Sequence, residues 1–187
     1  MANIVEFGLT NVYIAKATKA VDGTVSYGTP QRLYGAVDLS IENSSGGDDN
    51  VFYADNIAYY RATGGNSGFT GTLEIALLPD WFKTDILGQT SNKDNVMMET
   101  SSDTFSPFAM LYQVDGDTSN TLRCFYYCEV SRPTETAHTI EDTKTPQTTT
   151  LNLTVSPRPD TGEIKAQTTD TTETSVVSGW FTAVYEA

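Results

Sequence analysis

Apolar positions in this chain recur mostly at every second residue, in short runs broken by turn residues. That period belongs to half-buried β-strands. "RLYGAVDLSIEN" (32–43) sets Leu33, Val37, Leu39 and Ile41 on one face, and "GFTGTLEIALL" (68–78) does the same with Phe69, Gly71, Leu73, Ile75 and Leu77. "NVYIA" (11–15) and "VSYG" (25–28) flank an Asp22-Gly23 turn signal. The clearest hairpin joins 105–116 to 120–132 through "DGDTS". Phe108, Met110, Tyr112 and Val114 alternate on its first strand, and Leu122, Cys124, Tyr126, Cys128 and Val130 on its second. Phe125 and Tyr127 make the other face of that second strand apolar too, which places it centrally or beneath a cover. Leu151, Leu153 and Val155 point inward from a later strand, and "GEIKAQ" reads as a short edge strand. "VVSGWFTAVYE" (176–186) reads as a closing strand, with Val176, Trp180 and Val184 on one face and Val177, Phe181 and Tyr185 on the other.

One segment breaks the pattern. "LPDWFKTDILG" has Pro79 at a first helical position, Phe82 and Ile86 four apart, and Gly88 as a stop, predicting a helix over 79–87. So short a helix is marginal alone, so Trp81, Phe82 and Ile86 must dock on a sheet. The whole is a mostly β protein, an antiparallel β-sandwich or barrel with one short α-helix and extended loops or arms. No linker divides it, so residues 1–187 read as one domain.

"NVFYADNIAYYRA" (50–62) does not fit a core strand. It carries Phe52, Tyr53, Ile57, Tyr59 and Tyr60 between "SSGGDDN" and "TGGNSG", two flexible tethers. Apolar surface beyond the needs of one core marks association. These five residues, with Phe125 and Tyr127, are therefore expected at contacts between copies, and the loop at 133–150, which contains Ile140, is expected to reach across as well.

Eleven basic residues against 24 acidic ones give a formal charge of −13, with the acid spread along the chain. A sequence-independent nucleic-acid binder neutralises phosphates with a positive face, which this balance cannot supply over a large area. No run of 18 apolar residues suits a membrane span, and the N-terminus lacks a signal-peptide pattern. Cys124 and Cys128 would lie about 13 Å apart on an extended strand, too far for a disulfide, and read as reduced core thiols.

A catalytic constellation is hard to assemble. His138 is the only histidine, set in a polar stretch without a nominated partner. Glu74 is equally the outward residue of an alternating strand, and no second carboxylate is paired with it. "VDGDTSNT" lacks the ligand spacing of a calcium loop, and the histidine and cysteine count fits no zinc pattern. The reading is a protein without catalytic residues, metal or cofactor.

"FYADN", "GTLEIALLPDWF" and the series "SRP…PQT…L…SPR", in order along nearly the whole chain, resemble the major tail proteins of long, non-contractile-tailed bacteriophages of Gram-positive hosts. The resemblance implies a structural subunit that self-assembles into stacked rings, usually of six copies, forming a tube through which DNA leaves the capsid. It implies a virion protein folded in the host cytoplasm, with tape-measure and tail initiator and terminator proteins as partners. DNA would pass without specific binding, and no membrane is involved. On the resemblance, the N-terminal segment (about 1–10), an inter-subunit loop (about 43–66) and an arm (about 133–150) mediate ring contacts. The absence of an added immunoglobulin-like domain after Ala187 would make this a minimal tube subunit. Six copies would carry a formal −78, six times −13, and a channel edged with carboxylates repels phosphate so that DNA slides. Glu42, Asp48, Asp49, Glu74 and Glu129 are the residues expected to line it. The alternatives are a minor tail or baseplate component, a carbohydrate-binding β-sandwich, or a hydrolase built around Glu74 or His138.

Overall fold

A computed structural model describes residues 3–45, 50–54, 56–62, 66–135, 137, 139 and 146–186, the side chains of 45, 50–53 and 58–62 apart. In chain order the elements are β1 (Glu6–Lys19), β2 (Val25–Tyr27), β3 (Gln31–Arg32), β4 (Ala36–Ser45), β5 (Asn50–Ala54), β6 (Ile57–Ala62) and β7 (Asn66–Ile75). Then come α1 (Asp80–Asp85), β8 (Thr90–Ser91), β9 (Met97–Met98), β10 (Phe108–Gly116), β11 (Thr121–Val130), β12 (Thr149–Val155), β13 (Lys165–Gln167) and α2 (Thr174–Gly179). One antiparallel sheet runs β2-β1-β10-β11-β12-β7-β4, with β3 on β1 and β13 on β11. Its inner face wraps one core. Val12 and Ile14 from β1, Phe108, Met110 and Tyr112 from β10, Leu151 and Leu153 from β12, and Leu73 and Ile75 from β7 meet there. The roll is tight enough that the chain before β4 returns to β1, where Leu33 N–H donates to Val12 O at 2.8 Å.

The mostly β architecture and its short helix follow the alternation in the sequence. Helix α1 plugs one mouth of the roll with Phe82 and Ile86, at 0% and 1% exposure, and Trp81 packs half-buried beside them. At the other mouth Arg123 Nη2 meets Glu6 Oε1 at 2.6 Å, and the Lys165 ammonium sits 6.0 Å over the Phe125 ring. Glycine is required where β7 crosses β12. Gly68 has φ +116°, and a Cβ there would stand 2.0 Å from Val155 O.

Strand β11 does not keep one face throughout. Met110 pairs with Phe125 but Phe108 pairs with Cys128, so two steps along β10 oppose three along β11. The resulting bulge lies where β11 changes its second partner from β13 (Arg123 to Phe125) to β12 (Cys128 to Val130). Leu122, Cys124 and Tyr126 therefore face a second apolar cluster with Ala15, Ala109 and Leu111, while Cys128 and Val130 join the main core. The alternation expected from Leu122 through Val130 fails at this point, and the two free thiols lie on opposite sides of the sheet.

Three further expectations are corrected. The closing segment is not a strand. Residues 174–179 form α2, and Trp180 and Val184 follow it onto the second cluster, with Phe181 stacked on Tyr13 at 4.7 Å. A spacing of four satisfies both the period of a strand and roughly one helical turn, so Val176, Trp180 and Val184 share a face either way. Val37 is 54% exposed because the β4–β7 register slips between Ala36 and Asp38, which turns Ala36 inward instead. Leu77 is 77% exposed because β7 ends at Ile75 and the following turn buries Leu78.

Candidate assembly surfaces

The strands β4, β7, β12 and the end of β11 present their inner side chains to the main core, so their alternate residues form one outer face. Register fixes its rows. Asp38, Glu74 and Thr150 lie side by side; next come Ser40, Thr72 and Asn152; then Glu42, Thr70, Thr154 and Glu129. Tyr127, half-buried, extends the face along β11, and both burial and the nearby Glu129 carboxylate push its phenol pKa up. Among the described residues this face carries four carboxylates, hydroxyls and one amide, and no lysine or arginine. Asp38 stands directly opposite Glu74 on neighbouring strands. Like charges so placed destabilise a sheet, so folding alone does not account for them. Thr148 Oγ1 donates to Glu74 Oε1, which fixes that carboxylate at the end of the face.

Three carboxylates expected at a channel, Glu42, Glu74 and Glu129, thus share one surface, while Asp48 and Asp49 lie outside the described residues. The fourth acid of the face, Asp38, was missed. Its signal was present, since Asp38 and Glu42 are the outward alternates of Leu39 and Ile41.

The aromatic segment forms a separate two-stranded hairpin, β5–β6, in which Phe52 pairs with Tyr60 and Tyr53 with Ala58. Asn56 turns it at φ +61°, and Ile57 beside the turn is 61% exposed. Tyr59 lies on β6. Phe125 does not belong with these contact residues. It is 2% exposed in the subunit's own core, its ring 5.5 Å from Phe69 and 6.0 Å from Tyr112. Tyr127 is on the acidic face instead, and Ile140 and His138 lie outside the described residues.

The outer strand of that acidic face, β4, pairs with β7 along one edge and has no sheet partner along its other edge among the described residues. Part of that edge lies against β1, and where it does not, unpaired backbone groups are a template for another chain. No group of three or more histidine, cysteine, aspartate or glutamate residues is placed to hold a metal among the described residues. No helix among them is long and apolar enough to cross a membrane.

No curated protein matches the chain. Residues 2–174 match the family model described as "Phage tail tube protein", a match that stops at the first residue of α2. With nearly the whole chain so matched, the protein belongs to the phage tail tube protein family and is a non-catalytic structural protein of a viral tail.

Proposed function

We propose that this chain is the repeating subunit of the tail tube, closing into rings of six that stack into a hollow conduit, with the β4–β7–β12–β11 face turned to the lumen. The observation that carries the reading is that face, where four carboxylates stand without a cation among the described residues. Phosphate near such a surface is repelled, so DNA moves past without binding and no chemical step is needed. The part of the β4 edge that has no sheet partner among the described residues supports ring closure, because a neighbour's strand can pair there and remove an aggregation-prone edge. The β5–β6 hairpin, standing off the main sheet, supports a further contact between subunits. Tape-measure protein inside the tube, and initiator and terminator proteins at its ends, are the partners this role requires.

Electron microscopy of the purified protein, alone and with tail initiator complex, tests the assembly. Stacked rings with six-fold end views are expected, and one ring that never stacks would favour a baseplate component. Replacing Glu42, Glu74 and Glu129 together by lysine changes each subunit by +6, from −13 to −7. Particles carrying that triple variant should keep their tubes and release DNA several-fold more slowly. Unchanged release kinetics would sink the lumen assignment.

A further inference from the structure

We propose that Arg158 and Asp160 form a built-in guard on the β2 edge of the sheet, which stops β2 of one copy from pairing with β2 of another. Strand β4 lies at one end of the sheet; at the other, β2 pairs with β1 and has no strand on its far side among the described residues. The ladder with β1 fixes which backbone groups that far side holds. Ala20 N–H donates to Thr24 O and Gly28 N–H to Lys16 O, so Thr24 and Gly28 turn their backbone toward β1. Hydrogen bonding alternates along an antiparallel strand. The N–H and C=O of Val25, one residue on from Thr24, therefore point away from β1.

Those are the groups a second strand would take, and two side chains hold both. Val25 N–H donates to Asp160 Oδ2 at 2.9 Å, and Val25 O accepts from Arg158 Nη2 at 3.1 Å. The pair supplies the acceptor and the donor that a neighbouring strand would supply. The turn that carries it offers no fresh edge. Arg158 N–H donates to Glu163 O, Gly162 N–H to Arg158 O and Thr161 N–H to Asp160 Oδ1, and Pro159 has no N–H to give.

The guard is also held from behind. Arg158 Nη2 meets Glu186 Oε1 at 2.7 Å, on the C-terminal segment that Trp180 and Val184 seat against the second cluster. Glu163 brings a further carboxylate within 3.8 Å of Nη1. Water would satisfy an open edge without this arrangement, whereas taking a guanidinium almost wholly out of water costs desolvation. Solvation of β2 does not call for a buried arginine, but exclusion of another strand does.

The excluded contact has a definite geometry. With Val25 and Tyr27 presenting their backbone outward, two β2 strands would meet antiparallel about a Ser26–Ser26 pair. That contact is isologous and closes on itself as a two-fold dimer. Under the tube reading, on which this consequence alone rests, such a dimer is a dead end, and the guard leaves the unpartnered part of β4 as the edge for growth.

Disulfide trapping on the soluble subunit tests the guard, since Ser26 is exposed and the native thiols are buried. Opposed residues of a non-hydrogen-bonded antiparallel pair lie about 4.5 Å apart at Cα, within reach of a disulfide. Ser26→Cys/Asp160→Ala should form oxidised dimer several-fold faster than Ser26→Cys alone. Glu186→Ala, which loosens Arg158 from a half-exposed position, takes the place of Asp160→Ala if that chain does not fold, and should give a smaller rise. Equal rates with and without the second substitution overturn the guard. So does an equal rise in Ser26→Cys/Leu151→Val, a change in the main core away from β2, because loosening alone would then open the edge. The cross-link is read without tubes, so a failure of the tube reading in electron microscopy is a separate result.

Discussion

Arg158 is 6% exposed, and its hydrogen-bond partners join three separate parts of the chain. Its Nε donates to Asp160 Oδ1 at 2.7 Å, its Nη2 to Val25 O and Glu186 Oε1, and its guanidinium lies 5.2 Å from the Tyr27 ring centre. Asp160 in turn accepts from Val25 N–H at 2.9 Å. That bond first, and the Arg158 guanidinium with it, lower the Asp160 carboxyl from 3.8 to about 2. A depressed folded pKa stabilises above the ordinary value and ceases to do so as pH falls, so the window is pH 3.8 down to about 2. Acid titration of urea stability should show wild type losing more over this window than Asp160→Asn does, and equal slopes would remove the linkage. The same scale shows what alternation could not convey. Val37 and Leu77 obey the period in the sequence, but a register slip and an early strand end expose them. Bulges and strand ends depend on the neighbouring strand, which a local pattern does not contain.

At the scale of elements, α1 was legible because proline, spaced apolar residues and glycine agree on its limits, whereas α2 was hidden by a spacing of four. Trp180 anchors the segment after α2 at 3% exposure, and its indole Nε1 is buried with no hydrogen-bond partner among the described residues. The ring, not the N–H, should therefore hold this cap. Trp180→Ala is expected to cost about 3–5 kcal/mol in urea unfolding, whereas Trp180→Phe, which deletes an unsatisfied donor, should cost less than about 1.5 kcal/mol. Equal losses in both variants would mean that the indole nitrogen has a partner in solution. The aromatic segment was legible as a unit apart from the neighbouring strands, because turn residues bound it on both sides. Its form as a hairpin was not, since Asn56 at positive φ carries only a weak turn signal.

For the whole molecule, charge opposes association while apolar surface favours it. Raising salt from about 20 mM to 0.5 M shrinks the screening length from roughly 20 Å to about 4 Å. Sedimentation velocity should then show association strengthening with salt. Weakening would mean that attractive ion pairs dominate the contacts. Net charge was plain in composition, but the grouping of Asp38, Glu42, Glu74 and Glu129 was not. Those residues come from three strands far apart in the chain, and only the register of β4, β7, β12 and β11 sets them side by side.

The bulge in β11 also bears on how the subunit withstands oxidation. With Cys124 and Cys128 turned to opposite sides of the sheet, no intramolecular bridge can form without unpicking the strand. Burial pushes the Cys124 thiol up to about 12 and the Cys128 thiol well above its ordinary value, so neither supplies thiolate near neutrality. Exposed to air, the folded subunit therefore resists cross-linking through these two thiols. The subunit's contacts with its neighbours are then non-covalent as far as its cysteines are concerned.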